Sequence, residues 1–352
     1  MNPIKIGVAG LGRSGWNIHA KALHQLPEYE VVAAMDFDAE RRKEAETEMG
    51  ARTYDNYDAL VADSDVEVIV VATPNFLHCE HIVGALDAGK HAICEKPFGT
   101  TSAEADKMIE AAKRNGKIAA PFQNRRYEGH FQKVQEVINS GVLGEVHLIR
   151  LCVHSFSRRW DWQTLREFSG GQLTNWGPHV VDHAIQLLNL DADTMPDVWV
   201  DMRNVLSSGD ADDHIVLMLR APGSEDNNGP LVQIEISAAM AYGQDRWQIA
   251  GKNGGLQGNP NKLNWKWVDW STMPERPVER TPTPGRSYNR EQLDWQTEEW
   301  ANEGDSDAGL TNKFYNSFAK SVREGAPLDI TPQSVRQQIA VIERAKELGG
   351  FA

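Results

Sequence analysis

The sequence predicts an α/β chain in two parts, and three observations predict it. Over residues 1–122, short apolar runs rich in β-formers alternate with helical patterns, as in a parallel sheet with helices on both faces. Glycines at positions 10, 12 and 15 follow the first of these runs, where a helix begins. Beyond residue 122 the pattern turns to apolar–polar alternation, the period of a half-buried antiparallel strand. The second part, residues 123–352, is therefore expected to be an α+β domain with a largely antiparallel open sheet.

In the first part, IKIGVA (4–9), VVAAM (31–35), VEVIVVA (66–72), HAICE (91–95) and KIAAPF (117–122) are the expected strands. Nearly continuous apolar runs of this kind suit strands buried on both faces. SGWNIHAKALHQL, NFLHCEHIVGALDAG and TSAEADKMIEAAKRNG are the helices between them. NRRYEGHFQKVQEVINSGVLG reads as a helix closed by glycines. EVHLIRLCVHSF and HIVLMLRA are then strand-like, and in LVQIEISAAMA Val232, Ile234 and Ile236 alternate with Gln233, Glu235 and Ser237. Residues 256–300, carrying Trp265, Trp267, Trp270, Trp295 and Trp300 among prolines, are expected to form a long irregular stretch. Such stretches usually serve function or an interface. TNKFYNSFAKSVREG and TPQSVRQQIAVIERAKELG close the chain as helices, the second opened by Thr331 and Pro332.

A net charge of −14 argues against nucleic acid as a partner, because phosphate binding needs a basic surface. The three cysteines, Cys79, Cys94 and Cys152, lack CxxC spacing, so a reducing, cytoplasmic setting is expected. MNPIKIGVAGLG has no basic-then-apolar leader pattern, and no apolar run approaches the ~18 residues that span a membrane. No membrane partner is expected.

Gly10, Gly12 and Gly15 form G-x-G-x-x-G directly after a strand, the context in which glycines let backbone approach a pyrophosphate at a helix N-terminus. This is the fingerprint of a Rossmann dinucleotide-binding domain. The loop residues between them, Leu11, Arg13 and Ser14, are expected at the cofactor too. The second strand ends in MDFD, which puts Asp36 where it can accept hydrogen bonds from a ribose 2′-hydroxyl. Its charge would repel a 2′-phosphate, so NAD is expected rather than NADP.

ATPNFLH (72–78) and CEKPFG (94–99) lie at the carboxyl ends of successive strands, where ligands sit in such sheets. Together with the glycine loop and GGQLTNWGPHVVD (170–182), they make the chain resemble the Gfo/Idh/MocA family, which includes glucose–fructose oxidoreductase and inositol dehydrogenase. The resemblance spans essentially the whole chain. It implies NAD(P)-dependent oxidation or reduction of sugars, polyols or their derivatives, and an open sheet that often mediates oligomerisation, here a dimer or tetramer. It assigns the catalytic lysine to Lys96, and cofactor contacts to Thr73, Pro74, Asn75, His78, Glu95 and Lys96 itself. Gln123 and Asn124 fall on the segment crossing between domains near the nicotinamide; Gln123 is expected at the cofactor and Asn124 at the substrate. The family's Trp-Arg pair falls on Trp162 and Gln163, so Trp162 is carried to the cofactor and an arginine is missing.

Oxidising a carbinol requires a base within hydrogen-bond reach of the hydroxyl. Lys96 suits this role, since burial beside a positive nicotinamide lowers an amine's pKa. Gly177 and Pro178 read as the cap and first position of a helix, which would put His179 in its first turn, where the dipole favours neutral imidazole. Val180, Ala184, Leu187 and Leu188 would be its apolar stripe, with His179, Asp182, His183 and Gln186 toward the other side. The family pattern has an Asp four residues before the histidine, and the histidine acts as base; here Asn175 stands there. Asn175 and His179 are expected at the substrate, along with Lys96 and the loop aromatic Trp160, and His179 is expected to be catalytic beside Lys96, as a proton-transfer group. His179 and His183 have zinc-compatible spacing, but the HExxH glutamate is absent, and no metal is expected.

The chain therefore reads as an NAD-dependent oxidoreductase moving hydride between nicotinamide and a carbinol or ketone of a sugar, sugar derivative or cyclic polyol. Two other readings stay open. One is an NAD-retaining, glycoside-processing enzyme working by transient oxidation and elimination. The other is a non-catalytic NAD- and sugar-sensing protein, against which Lys96 and His179 count.

Overall fold

The buried apolar runs assemble as expected, with one strand more than the sequence suggested. In a computed structural model that describes residues 2–223, 229–282, 287–304 and 306–351, the first sheet holds six strands. They are β1 (Ile4–Ala9), β2 (Tyr29–Met35), β3 (Arg52–Tyr54), β4 (Val68–Val71), β5 (His91–Cys94) and β6 (Ala119–Pro121), in the order β3-β2-β1-β4-β5-β6. Every pairing is parallel. The glycine turn leads through a wide turn at Gly15–Ala20 into α1 (Lys21–Gln25). Residues 39–62, unassigned from sequence, supply α2 (Ala39–Met49), β3 and α3 (Tyr57–Ala62). Asp38 caps α2 by accepting the N–H of Glu40 at 2.8 Å. Helices α4 (His78–Asp87) and α5 (Ser102–Asn115) complete the crossovers.

After α6 (Gly129–Asn139), α7 (Gln172–Leu188) and the strands of the second part form an eight-stranded sheet with helices against one face. The strands are β7 (Val146–His154), β8 (Asp197–Arg203), β9 (His214–Arg220), β10 (Leu231–Ser237), β11 (Trp247–Gly251), β12 (Gly254–Asn259), β13 (Lys262–Val268) and β14 (Trp295–Ala301). Their order is β14-β13-β12-β11-β7-β10-β9-β8, antiparallel throughout except for the parallel pair β7–β10. The stretch expected to be irregular contains β13 and most of β12 and β14. KLNWKWV alternates: Leu263 and Trp265 are buried while Lys262, Asn264 and Lys266 face out. Richness in Trp and Pro masked this period of two. Residues 283–286 of that stretch lie outside the described residues.

The C-terminal helices do not stay with the second sheet. Phe314, Tyr315 and Phe318 of α8 (Asp307–Glu324) pack into the core of the first sheet with Ile4, Val8 and Leu23. Helix α9 (Pro332–Gly349) spans both cores, giving Val335 and Ile339 to the first part and Val341 and Ile342 to the second.

Helix α7 departs most from the sequence reading. It starts at Gln172 rather than at Pro178, which lies inside it. Asp212, distant in sequence, receives the new N-terminus: its carbonyl accepts the N–H of Gln172 at 2.9 Å and its carboxylate that of Leu173 at 2.7 Å. His179 is therefore well inside the helix, and the expected dipole effect does not reach it. The expected polar face is buried as well, Asp182 and His183 being 0% exposed. Arg126 meets Asp182 in a two-pronged ion pair, Nε to Oδ2 at 2.8 Å and Nη2 to Oδ1 at 2.5 Å, while its Nη1 donates to Ser334 Oγ of α9.

Replacing Asp182 by Ala strands a buried guanidinium, and stability should fall by about 3–5 kcal/mol. The double variant Arg126→Met/Asp182→Leu should recover most of that loss, because apolar side chains of similar volume carry no desolvation cost. Urea unfolding of both variants checks this. A loss below about 1 kcal/mol in Asp182→Ala would mean the pair behaves as a solvent-screened one.

Candidate active site

Two cavities meet at one lysine. The larger, about 510 Å³, runs along the carboxyl ends of β1, β2, β4 and β5 and is lined by Gly10, Gly12, Arg13, Ser14, Asp36, Thr73, Pro74, Asn75, His78 and Trp162 among others. The smaller, about 230 Å³, lies between Phe122, Asn124 and Arg125 on one side and Trp176, His179 and α8 on the other. Arg13, Glu95, Lys96 and Asn175 line both.

The glycine turn is built by close approach. Gly10 has φ +90°, and a Cβ there would sit 2.7 Å from the Ala72 carbonyl oxygen; a Cβ on Gly15 would sit 1.8 Å from that of Gly10. A Cβ on Gly12 would meet nothing within 4 Å, so the turn leaves free space at the start of the helix. The cleft therefore fits a dinucleotide: a phosphate has room at Gly12, and a carboxylate waits at the far end of the strand row. That carboxylate, Asp36, accepts the Leu11 N–H at 2.8 Å and the Asp38 N–H at 2.9 Å. Arg41 Nη1 lies 3.4 Å from Asp36 Oδ2 and also lines the cleft. Leu11 itself is buried in the core of the first sheet, and its side chain does not line the cavity.

Lys96 follows β5 and reaches α7. Its Nζ donates to Asn175 twice, to the main-chain oxygen at 2.9 Å and to Oδ1 at 3.0 Å. Burial brings its pKa down to about 8; Glu95 opposes the fall, and Arg13, Arg125 and Arg159 add to it. His179 is buried, with Nδ1 lacking any hydrogen-bond partner among the described residues, and its ring meets Trp176 edge-on at 5.8 Å. Burial, reinforced by Lys96 and Arg125, holds its pKa well below the ordinary value, so the imidazole is neutral. Neutrality matches the sequence expectation, but burial causes it in place of a helix dipole.

Several expected site residues make contacts within the protein or lie outside the two cavities. Gln123 is 1% exposed, its side-chain amide donates to the Pro178 carbonyl, and it lines neither cavity. His78 borders the larger cavity, but its nitrogens face the carbonyls of Pro97 at 2.8 Å and Thr73 at 2.9 Å. Trp160 is 80% exposed and lines neither cavity, in contrast to Trp162. At the position of the missing arginine, Gln163 accepts a bond of 2.7 Å from Arg159, bringing that guanidinium to the cleft wall.

Other wall residues escaped the sequence reading. Arg41 and Arg159 carry no motif, Trp176 lies within GGQLTNWGPHVVD without having been assigned a role, and Asp307 and Thr311 of α8 arrive from the far end of the chain. The histidine-spaced trio is divided: Asp182 serves Arg126, and His183 stacks on Phe131 at 3.9 Å while bonding the Arg125 carbonyl. One group of metal-capable side chains occurs among the described residues, Cys152, His154 and Glu235 on the second sheet. There His154 Nδ1 accepts the Gln244 N–H at 3.0 Å, which leaves the proton on Nε2 and no lone pair for an ion.

Comparison with known proteins agrees with this architecture. Residues 4–123 match the oxidoreductase family with an NAD-binding Rossmann fold, and residues 131–257 match the Gfo/Idh/MocA C-terminal domain. An inositol 2-dehydrogenase of Salmonella typhimurium is 30% identical over 257 residues, 71% of this chain and 72% of that protein. A scyllo-inositol 2-dehydrogenase (NADP+) of Bacillus subtilis is 25% identical over 99% of this chain and 94% of its own length. An uncharacterized oxidoreductase of Schizosaccharomyces pombe is 36% identical, but over only 53% of this chain and 52% of its own. The structure of an NAD-binding protein from Listeria innocua superposes with a TM-score of 0.79 at 25% identity, covering 99% of this chain and 95% of that one. The chain belongs to the Gfo/Idh/MocA family and is an oxidoreductase built on an NAD-binding Rossmann fold.

Proposed function

We propose that this oxidoreductase uses NAD to interconvert a carbinol and a ketone on a sugar, sugar derivative or cyclic polyol. The observation that carries the reading is the Lys96 amine, shared by both cavities and tethered to Asn175. The larger cavity suits the dinucleotide, with Gly12, Ser14 and Arg13 toward phosphate and Asp36 toward ribose; the smaller suits a compact polyhydroxyl substrate. When bound, the nicotinamide supplies the hydride acceptor. Neutral Lys96 takes the hydroxyl proton at Nζ, and in the reverse direction its ammonium stabilises the forming alkoxide. Neutral His179, whose affinity for a proton is low, accepts a hydrogen bond and orients the hydroxyl. Asn175 and Asn124 offer further polar contacts in the same cavity. The inositol dehydrogenases among the relatives support the polyol class.

Oxidation should therefore quicken with pH through an ionisation at about 8, the value for Lys96. Lys96→Met should lower kcat by roughly 10²–10⁴ while leaving NAD affinity within a few fold. Asn175→Asp puts an anion beside Nζ, favours the ammonium and should move the rising limb to higher pH. A polyol and sugar panel read by NADH absorbance provides the measurement. Full turnover in Lys96→Met would remove the lysine from the chemistry.

For the cofactor, the Asp36 charge supports NAD, although the Bacillus subtilis relative is named for NADP+. NAD(H) should bind more tightly than NADP(H). Asp36→Ala removes the repulsion and frees Arg41 for a 2′-phosphate, and should narrow the gap by about tenfold or more, roughly 1.4 kcal/mol. Calorimetry at one salt concentration tests both statements; tighter NADP(H) binding by the parent protein would overturn them.

We also propose that the open face of the second sheet joins copies of the chain. A groove of about 630 Å³ crosses β11–β14 there, lined by Gln248, Gln257, Asn264 and Lys266. Light scattering should return a dimer or tetramer; a monomer mass at micromolar concentration would contradict this.

A further inference from the structure

Behind Lys96 runs a buried chain of polar groups that the mechanism above does not use. His19, in the turn after the glycine loop, is 0% exposed. Its Nε2 lies 3.3 Å from Glu95 Oε1, and its Nδ1 lies 2.6 Å from Tyr315 Oη on α8. The other Glu95 oxygen, Oε2, accepts the Lys96 backbone N–H at 2.7 Å. A carboxylate only accepts, so the imidazole proton facing it must sit on Nε2, and the Tyr315 hydroxyl is free to donate to Nδ1. Tyr315 is in turn held from behind, its carbonyl accepting the Tyr29 hydroxyl at 2.5 Å and the two rings meeting edge-on at 5.3 Å.

The chain has a cost that demands a reason. Glu95 is 6% exposed and would lose its charge there without donors. Burial works against the anion, but His19 and Lys96 outweigh it and carry its pKa below the usual carboxylate range. The anion favours a charged Lys96, against Arg13, Arg125 and Arg159; His179 and Asp307 are the other titratable groups lining the smaller cavity, and His179 is neutral.

We propose that His19 and Tyr315 are positioning residues, which hold the Glu95 carboxylate ionised and fixed against Lys96 and thereby set the proton affinity of the Lys96 amine. The inference rests on the reading of Lys96 as the group that takes the substrate proton. Its direction follows from the charges. Without the His19 donor, Glu95 takes up a proton more readily, Lys96 loses part of the negative charge that favours its ammonium, and the ammonium becomes more acidic.

The test titrates Lys96 directly, in the full chain with NAD present and no substrate. The Cε resonance of 13C-labelled lysine is assigned by its disappearance in Lys96→Arg and followed against pH. His19→Leu should lower the Lys96 midpoint by about one pH unit, a tenfold change in proton affinity. Tyr315→Phe, which keeps the packed ring and removes only the hydroxyl, should shift it the same way by less. His19→Gln can still donate to Glu95 and accept from Tyr315, and should return the midpoint toward that of the parent. An unmoved midpoint in Tyr315→Phe and in folded His19→Leu would overturn the proposal; should His19→Leu fail to fold, Tyr315→Phe decides alone. Undiminished turnover in Lys96→Met, with the midpoint shifts intact, would instead overturn the assignment of Lys96 as base and leave the polar chain standing.

Discussion

The amine of Lys96 donates two hydrogen bonds to Asn175, and the arrangement of the site depends on that contact. It joins the end of β5 to the first turn of α7, two elements 79 residues apart, and puts one basic nitrogen where the two cavities meet. An amine in this position needs acceptors that are not anions, because a paired carboxylate would lock it as ammonium. The amide oxygen and main-chain oxygen of Asn175 meet that need, and the Glu95 carboxylate is tied up by the His19 ring and the Lys96 backbone N–H.

The seam around this contact is costly to build. Carboxylates and guanidinium groups pass out of water in pairs: Arg126 with Asp182, and Glu128 with Arg125 and His130. Burial alone would raise the Glu128 carboxyl, yet His130, His183 and Arg125 hold it down to about 2. An apolar seam of the same volume would be at least as stable, but apolar contacts have no direction. Directed bonds fix the rotation of α7 about its axis, so His179 faces the smaller cavity while Asp182 and His183 face protein. Trp176, one turn earlier, has the guanidinium groups of Arg125 and Arg246 over its ring at 5.4 and 5.6 Å, which anchors the same face of the cavity.

What the sequence determined by itself is the part governed by local rules. Runs of apolar residues buried on both faces specify β1, β2, β4, β5 and β6, and the glycine spacing follows from backbone that must pass within contact distance of other backbone. Asp36 was legible for the same reason, since it lies at the end of a strand whose position is set by its own period, whereas Lys96 was assigned by the resemblance that the strand-end motif CEKPFG carries. Tertiary structure decided the rest. Pro178 looked like a helix start because proline favours the first turn, but Asp212, from a loop beyond β8, caps α7 six residues earlier. Trp265 and Trp300 looked like loop aromatics until β13 and β14 paired and gave them a face. His19 and Tyr315 meet across 296 residues of chain, and Gln123 and Pro178 across 55. No periodicity or propensity carries such partnerships, because a side chain's hydrogen bonds are chosen by whatever the folded core brings within 3 Å of it.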